Sequence, residues 1–210
     1  MISGLSIVIP TVKARAMVED SLGSCPVPCE VIVRRDSGIA FARNQGARAA
    51  TLGLMVQLDD DLTLKPEIWS FIRSVKPGEF AMCYVTRHVA TRVFIIHLDD
   101  FWQLGGFDEA IRYVWEDGEF YMRAVKAGLR FRLVPPNLYV HRDHTSVRMS
   151  SRLKAFKTGW EWCKFFARYN RWVEPNMFSF FLEPVWKRHY RDFVFKFVCT
   201  FYWLTVGRLT

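Results

Sequence analysis

The chain has no paired cysteine framework, no long apolar run and no glycine-rich phosphate loop, and each absence excludes something. Its five cysteines, Cys25, Cys29, Cys83, Cys163 and Cys199, are odd in number and scattered, which argues against a disulfide framework and for a reducing compartment. Cys25 and Cys29 in "CPVPC" are not followed by a second ligand pair, which argues against structural zinc. The most apolar stretch, residues 193–206, holds 14 residues and includes Lys196. Crossing hydrocarbon takes about 20 residues, so this stretch is not expected to span a bilayer alone. "MISGLSIVIP" lacks a basic start and runs directly into a strand pattern, so no signal peptide is expected. No internal repeat and no low-complexity segment is present. "HRD" at 141–143 looks like a protein-kinase catalytic loop, but it stands without a glycine-rich loop, a strand lysine or "DFG". It is read as coincidence.

What is present points to a folded domain with a distinctive tail. The 210 residues suffice for one substantial domain with an appendage, and 50% are hydrophobic, which argues against disorder. The formal charge of +8 is uneven. Residues 1–141 hold 16 basic and 16 acidic groups, whereas residues 142–210 hold 13 and 5. The tail also concentrates aromatics, from Trp160 to Trp203. Such a tail suits an anionic partner: a membrane surface, nucleic acid or a phosphorylated substrate. It equally suits a helical extension whose Lys and Arg stems cover apolar surface.

The apolar pattern predicts alternating elements. "LSIVIP" (5–10) and "EVIVRR" (30–35) read as strands with a helix between them at about 13–23. "IAFARNQGARAATLG" (39–53) has alanines at helical spacing and closes on glycine, and "LMVQL" (54–58) is a further strand. A helix at 67–75, strands at 79–87 and 91–98, a helix at 116–128 and short strands in "RFRLVP" and "NLYVH" complete the domain. From about Arg152 the pattern turns helical. The first five elements predict an α/β fold with parallel strands, in which ligands bind beyond the carboxyl ends of the strands. Pro10, Thr11, Asp36 and Asp59 to Asp61 all sit at such ends and are expected to share one crevice.

Three consecutive aspartates repel one another unless something positive faces them. Mg²⁺ or Mn²⁺ takes hard oxygen ligands, usually one or two carboxylates, with phosphate and water completing the shell. A solvated turn is the plainer alternative. A second acid group, Glu116 and Asp117 in "WEDGEF", follows "LGGFDEAI", where Gly105 and Gly106 allow a tight turn or a close approach. These acids open a helix, where the dipole favours carboxylates. An ionised Asp there can deprotonate a hydroxyl, or the pair can simply cap the helix.

Taken in order, "LSIVIPT", "GIAFARNQGARAA…MVQLDDD", "GGFDE…WEDGEFYMRAVKAG" and the His of "YVH" resemble the family 2 glycosyltransferases of the GT-A fold, over roughly residues 3–145. The resemblance implies a Rossmann-like, mixed but mostly parallel sheet flanked by helices over 1–150, with 151–210 as a basic, aromatic-rich helical extension. It implies inverting transfer from a UDP- or GDP-linked sugar, dependent on Mn²⁺ or Mg²⁺, to a glycan or lipid-linked acceptor. Carried onto this chain, Pro10, Thr11, Asp36, Arg43, Asn44, Asp59 and Asp60 face the nucleotide. Asp61 is the direct metal ligand, with Asp59 and His141 as further ligands and His144 as the rival histidine. Asp117 is the base and Glu116 touches the acceptor, with Gly105, Gly106 and Trp115 on the acceptor side.

The chain departs from that family after its second strand. "VRRDSG" runs almost directly into "IAFARN", so a strand and its loop are largely missing and Asp36 is the only acid left there to grip base or ribose. Two other classes stay in view. A sugar nucleotidyltransferase would use strand-end acids and metal but release pyrophosphate. A non-enzymatic RNA or anionic-polymer binder would explain the charge but not two acid clusters, which repel phosphate unless metal is present; nucleic acid is therefore not the expected partner. The expected location is cytoplasmic, with the tail on the membrane face.

Overall fold

The structure, a computed structural model, describes residues 4–85, 88–111 and 116–142. All of them fall in one compact unit, Met1–Arg112 with Glu116–Ser146. The extension expected over 151–210, Trp115 and His144 lie outside the described residues.

The strands are β1 (Leu5–Pro10), β2 (Cys29–Arg34), β3 (Leu54–Leu58), β4 (Leu62–Leu64), β5 (Glu79–Val85), β6 (His88–His97), β7 (Arg130–Leu133) and β8 (Tyr139–His141). The helices are α1 (Glu19–Leu22), α2 (Ile39–Ala49), α3 (Ile68–Arg73), α4 (Leu98–Gln103) and α5 (Glu116–Lys126). The main sheet runs β2-β1-β3-β6-β5-β7, and β4 pairs with β8 in a small second sheet. β1 lies parallel to β2 and β3, and β5 parallel to β7, while β6 is antiparallel to both of its neighbours. This is the expected mixed, mostly parallel sheet flanked by helices.

β1 and β3 are almost wholly apolar, interrupted by the buried Ser6 and Gln57, because both of their faces are covered. Leu5, Ile7, Ile9, Leu54, Val56 and Leu58 point into one layer with Ile68, Trp69 and Ile72 of α3. Val8 and Met55 point into the other, with Ala40 and Ala47 of α2 and Phe101 and Phe120 of α4 and α5. α2 lies very close to the sheet: a Cβ at Gly46 would fall 2.1 Å from Val8 Cγ1. Only glycine fits there. On the same side Phe94, Phe107 and Phe120 pack with ring centroids 5.0–5.5 Å apart, largely edge to face, a favoured aromatic geometry.

Several boundaries differ from the sequence reading. The helix expected at 13–23 shrinks to Glu19–Leu22 because the preceding backbone bonds elsewhere. Met17 N–H donates to Asp60 O at 2.8 Å, and Arg35 donates to the carbonyls of Lys13 and Ala14. α2 stops at Ala49 rather than Gly53, since Ala50 is extended and Glu30 accepts the N–H groups of Thr51 and Leu52. β4 and α4 were not anticipated from the sequence.

Candidate active site

β3 delivers the three aspartates, and each meets a different partner. The Asp60 carboxylate accepts from Thr11 Oγ1 at 2.5 Å and Lys13 Nζ at 3.0 Å. Asp60 thus ties the segment after β1 to the end of β3 and brings Thr11 to the aspartates. Asp59 accepts from Arg43 Nη2 at 2.8 Å. Asp61 lies beside His141, with Nε2 and Oδ2 3.4 Å apart. The β4–β8 pairing explains that contact, because it sets Leu62 opposite His141 and Arg142 N–H on the Asp61 carbonyl. Lys13 and Arg43 offset part of the repulsion posed by the sequence, but burial and then the neighbouring Asp61 still act to raise the Asp59 carboxyl above its ordinary range.

Arg43 joins the two acid clusters. Its guanidinium is 3% exposed and donates through Nη1 to Glu116 Oε1 at 2.6 Å while Nη2 holds Asp59. Burial works against its charge, but Asp59, Glu116 and Asp117 more than offset this and raise its pKa. The guanidinium also lies 5.7 Å from the centre of the Phe107 ring. It reaches both acids because α2 lies so close to β1 that its third turn needs Gly46. The Glu116 carboxylate is itself 9% exposed.

The Gly105-Gly106 turn is held from both sides. Both glycines have positive φ, 81° and 70°, and a Cβ on Gly106 would fall 2.8 Å from Asn44 Oδ1. Asn44 accepts from Phe107 N–H and donates to Phe107 O, each at 2.9 Å, and donates to Glu109 at 2.8 Å. From α5, Arg123 donates to the carbonyls of Leu104 and Gly106 while paired with Glu119. Next to Glu116, Asp117 accepts from Gly118 N–H at 2.8 Å. Burial, then the neighbouring Glu116, pushes its carboxyl up to about 7. A carboxyl with that pKa can exchange a proton near neutral pH.

The remaining expected residues are placed as follows. Pro10 ends β1, and Thr11 N–H donates to Arg34 O at 2.8 Å. Asp36 is gripped by Arg34 through two bonds of 2.7 and 3.0 Å, which hold it below the usual carboxylate range. Lys13, Glu119 and Arg123 were not singled out from the sequence. Lys13 carried a signal, since it follows the first strand end within three residues; the other two were hidden in an ordinary helix pattern.

A cation site can be tested on the donor atoms. Asp61 and His141 offer one hard carboxylate and one borderline imidazole side by side, of which the carboxylate suits Mn²⁺. Among the described residues there is no group of three His, Cys, Asp or Glu arranged to hold a metal. The pair fits a cation that takes its other ligands from phosphate and water.

No family model and no curated protein matches the chain. Solved structures do. The chain is similar to the mannosyltransferase PcManGT of Pyrobaculum calidifontis in complex with GDP-Man and Mn²⁺, at 15% identity over 97% of this chain and 75% of that one, with a TM-score of 0.60. It is similar to a mutant Drosophila β1,4-galactosyltransferase 7 complexed with manganese, UDP-Gal and xylobiose, at 14% identity over 74% and 79%, TM-score 0.56. It is also similar to S. aureus TarS residues 1–349 in complex with UDP-GlcNAc, at 15% identity over 92% and 81%, TM-score 0.54. At these identities the likeness establishes the fold: a GT-A, Rossmann-like α/β sheet flanked by helices.

Proposed function

We propose that the chain is an inverting glycosyltransferase that uses Asp117 as base and a nucleotide sugar as donor. The observation that carries the proposal is the Arg43 bridge, which brings Asp59 and Glu116 onto one guanidinium. The proposal also draws on similar folds solved with GDP-Man, UDP-Gal and UDP-GlcNAc, two of them with Mn²⁺ or manganese.

Asp117 takes the proton from the acceptor oxygen, which attacks the anomeric carbon from the face opposite the leaving diphosphate and inverts it. With its carboxyl pushed up to about 7, Asp117 is a stronger base than an ordinary carboxylate yet still ionises near neutrality. Glu116, fixed by Arg43, orients the acceptor hydroxyl. Gly105 and Gly106 form the acceptor-side turn. Thr11, Asp59 and Asp36 address the nucleotide. Asn44 and Arg43 act from behind, Asn44 by fixing the Gly-Gly turn and Arg43 by fixing the acids. Asp61 and His141 would hold a divalent cation, which when bound stabilises negative charge on the departing diphosphate.

The test is a donor screen with UDP-, GDP- and dTDP-sugars, with and without Mn²⁺, reading nucleoside diphosphate release. Mn²⁺-dependent release from one donor class is expected. Release of pyrophosphate instead would indicate phosphorus chemistry and refute the proposal. Residues 151–210, by composition a basic and aromatic extension, are proposed to attach the enzyme to the membrane interface, where a lipid-linked acceptor resides. Among the described residues no helix is long and apolar enough to cross a membrane. Equal liposome co-sedimentation of the full chain and a chain ending at Ser150 would remove the attachment.

A further inference from the structure

One pair of reactive side chains lies outside the chemistry above. Cys25 and Cys29 flank Pro26-Val27-Pro28 in the link between α1 and β2, and the backbone bends at Pro26 and Val27. Both prolines have their φ fixed by the ring, so the link has few conformations to lose. Its ends are anchored. Cys25 N–H donates to Leu22 O at 2.9 Å, and Pro28 O accepts from Leu5 N–H at 3.1 Å. The Cys25 thiol donates to Val27 O at 3.4 Å, inside the bend. Cys29 opens β2 in register with Leu5.

The result is two thiols near enough to influence each other across the intervening bend, both partly exposed and both packed against the same apolar cluster. Burial first, then the neighbouring Cys25, raises the Cys29 thiol above its ordinary range. Cys83 is different: fully buried and pushed up to about 11, it is shielded from reagents.

We infer that Cys25 and Cys29 form a dithiol site that closes into an intramolecular disulfide by exchange with a low-molecular-weight disulfide of the glutathione class. One protein thiolate attacks a sulfur of the small disulfide, forming a mixed disulfide and expelling one small thiolate. The second protein thiolate then attacks the protein sulfur of that mixed disulfide. The Cys25–Cys29 bond forms and the second small thiolate leaves. Two protein thiols are oxidised, the small disulfide is reduced to two thiols, and the two protons pass to the expelled thiolates. The second step is intramolecular, and the preset bend gives it a high effective concentration. The inference does not rest on glycosyl transfer, because Cys29 starts β2 whereas Arg34 and Asp36 lie at its other end.

The sequence provides a clean assay. Trypsin cuts after Arg15 and Arg34, so one peptide, residues 16–34, carries Cys25 and Cys29 and no other cysteine. The full-length protein is equilibrated in graded ratios of reduced to oxidised glutathione, quenched by alkylation and mapped by mass spectrometry. The expected peptide lacks two hydrogen atoms and resists alkylation. Cys29→Ser is expected to leave one glutathione on Cys25 instead. The closing equilibrium is expected to be about tenfold or more weaker in urea, where the bend is lost. A wild-type peptide carrying two glutathiones, a peptide that stays fully alkylatable, or an equilibrium unchanged by urea would each overturn the inference.

Discussion

Replacing Arg43 by methionine probes the bridge between the acid clusters, because the apolar stem is kept and only the cation is lost. The change leaves Glu116, whose carboxylate is 9% exposed, and Asp59 without the donors that now sit at 2.6 and 2.8 Å. Breaking a buried ion pair from one side costs about 3–5 kcal/mol, because a buried charge is left uncompensated. For a chain of this length that is a fall in Tm of about 10 °C. Differential scanning calorimetry and urea titration at neutral pH read it. The reasoning also requires coupling. Glu116→Gln removes the charge that the methionine variant strands, so the double variant should recover ~1 kcal/mol or more relative to additivity. An Arg43→Met chain as stable as wild type, or strictly additive energies, would refute the bridge as an energetic unit.

Asp117 sets a pH profile: with its carboxyl pushed up to about 7, transfer should rise with pH through that region and level off above it. Stability moves the other way. A folded-state pKa above the ordinary 3.8 means the native chain holds a proton that the unfolded chain has released, so the contribution present below 3.8 is lost as pH rises through about 7. Asp117→Asn should therefore flatten the Tm profile between these limits, and an unchanged profile would contradict the shift. Gly106→Ala forces φ of +70° on a residue with a Cβ and drives that Cβ to 2.8 Å from Asn44 Oδ1, so a loss of about 1–3 kcal/mol is expected by urea titration. Asp61→Ala should abolish the Mn²⁺ dependence of donor affinity measured by calorimetric titration, with the Tm of the metal-free protein little changed. Undiminished Mn²⁺ dependence would remove Asp61 from the cation site.

β1 and β3 were legible because burial on both faces leaves a short, mostly apolar run, interrupted in each by one polar residue, and α2 because its alanines keep helical spacing. α4 escaped notice because "LDDFWQ" follows its strand without a break and is too short to show a period. α1 was overextended because the bonds that end the loop before it come from Asp60 and Arg35, which local pattern does not reveal. The same limit applies at the site. The acids could be picked out as clusters, but the Arg43–Glu116 bond spans 73 positions, Thr11–Asp60 spans 49 and Asn44–Phe107 spans 63. Those distances close only through the sheet order β1-β3-β6 and the packing of α2 and α5 on it. The sequence therefore pointed to which residues carry charge, while the fold decided which charge faces which.

The most direct test compares donor binding and turnover in Asp117→Asn, using the donor found by the screen, with Mn²⁺ present. The account predicts donor affinity close to wild type and transfer lost. Full turnover by Asp117→Asn would contradict it.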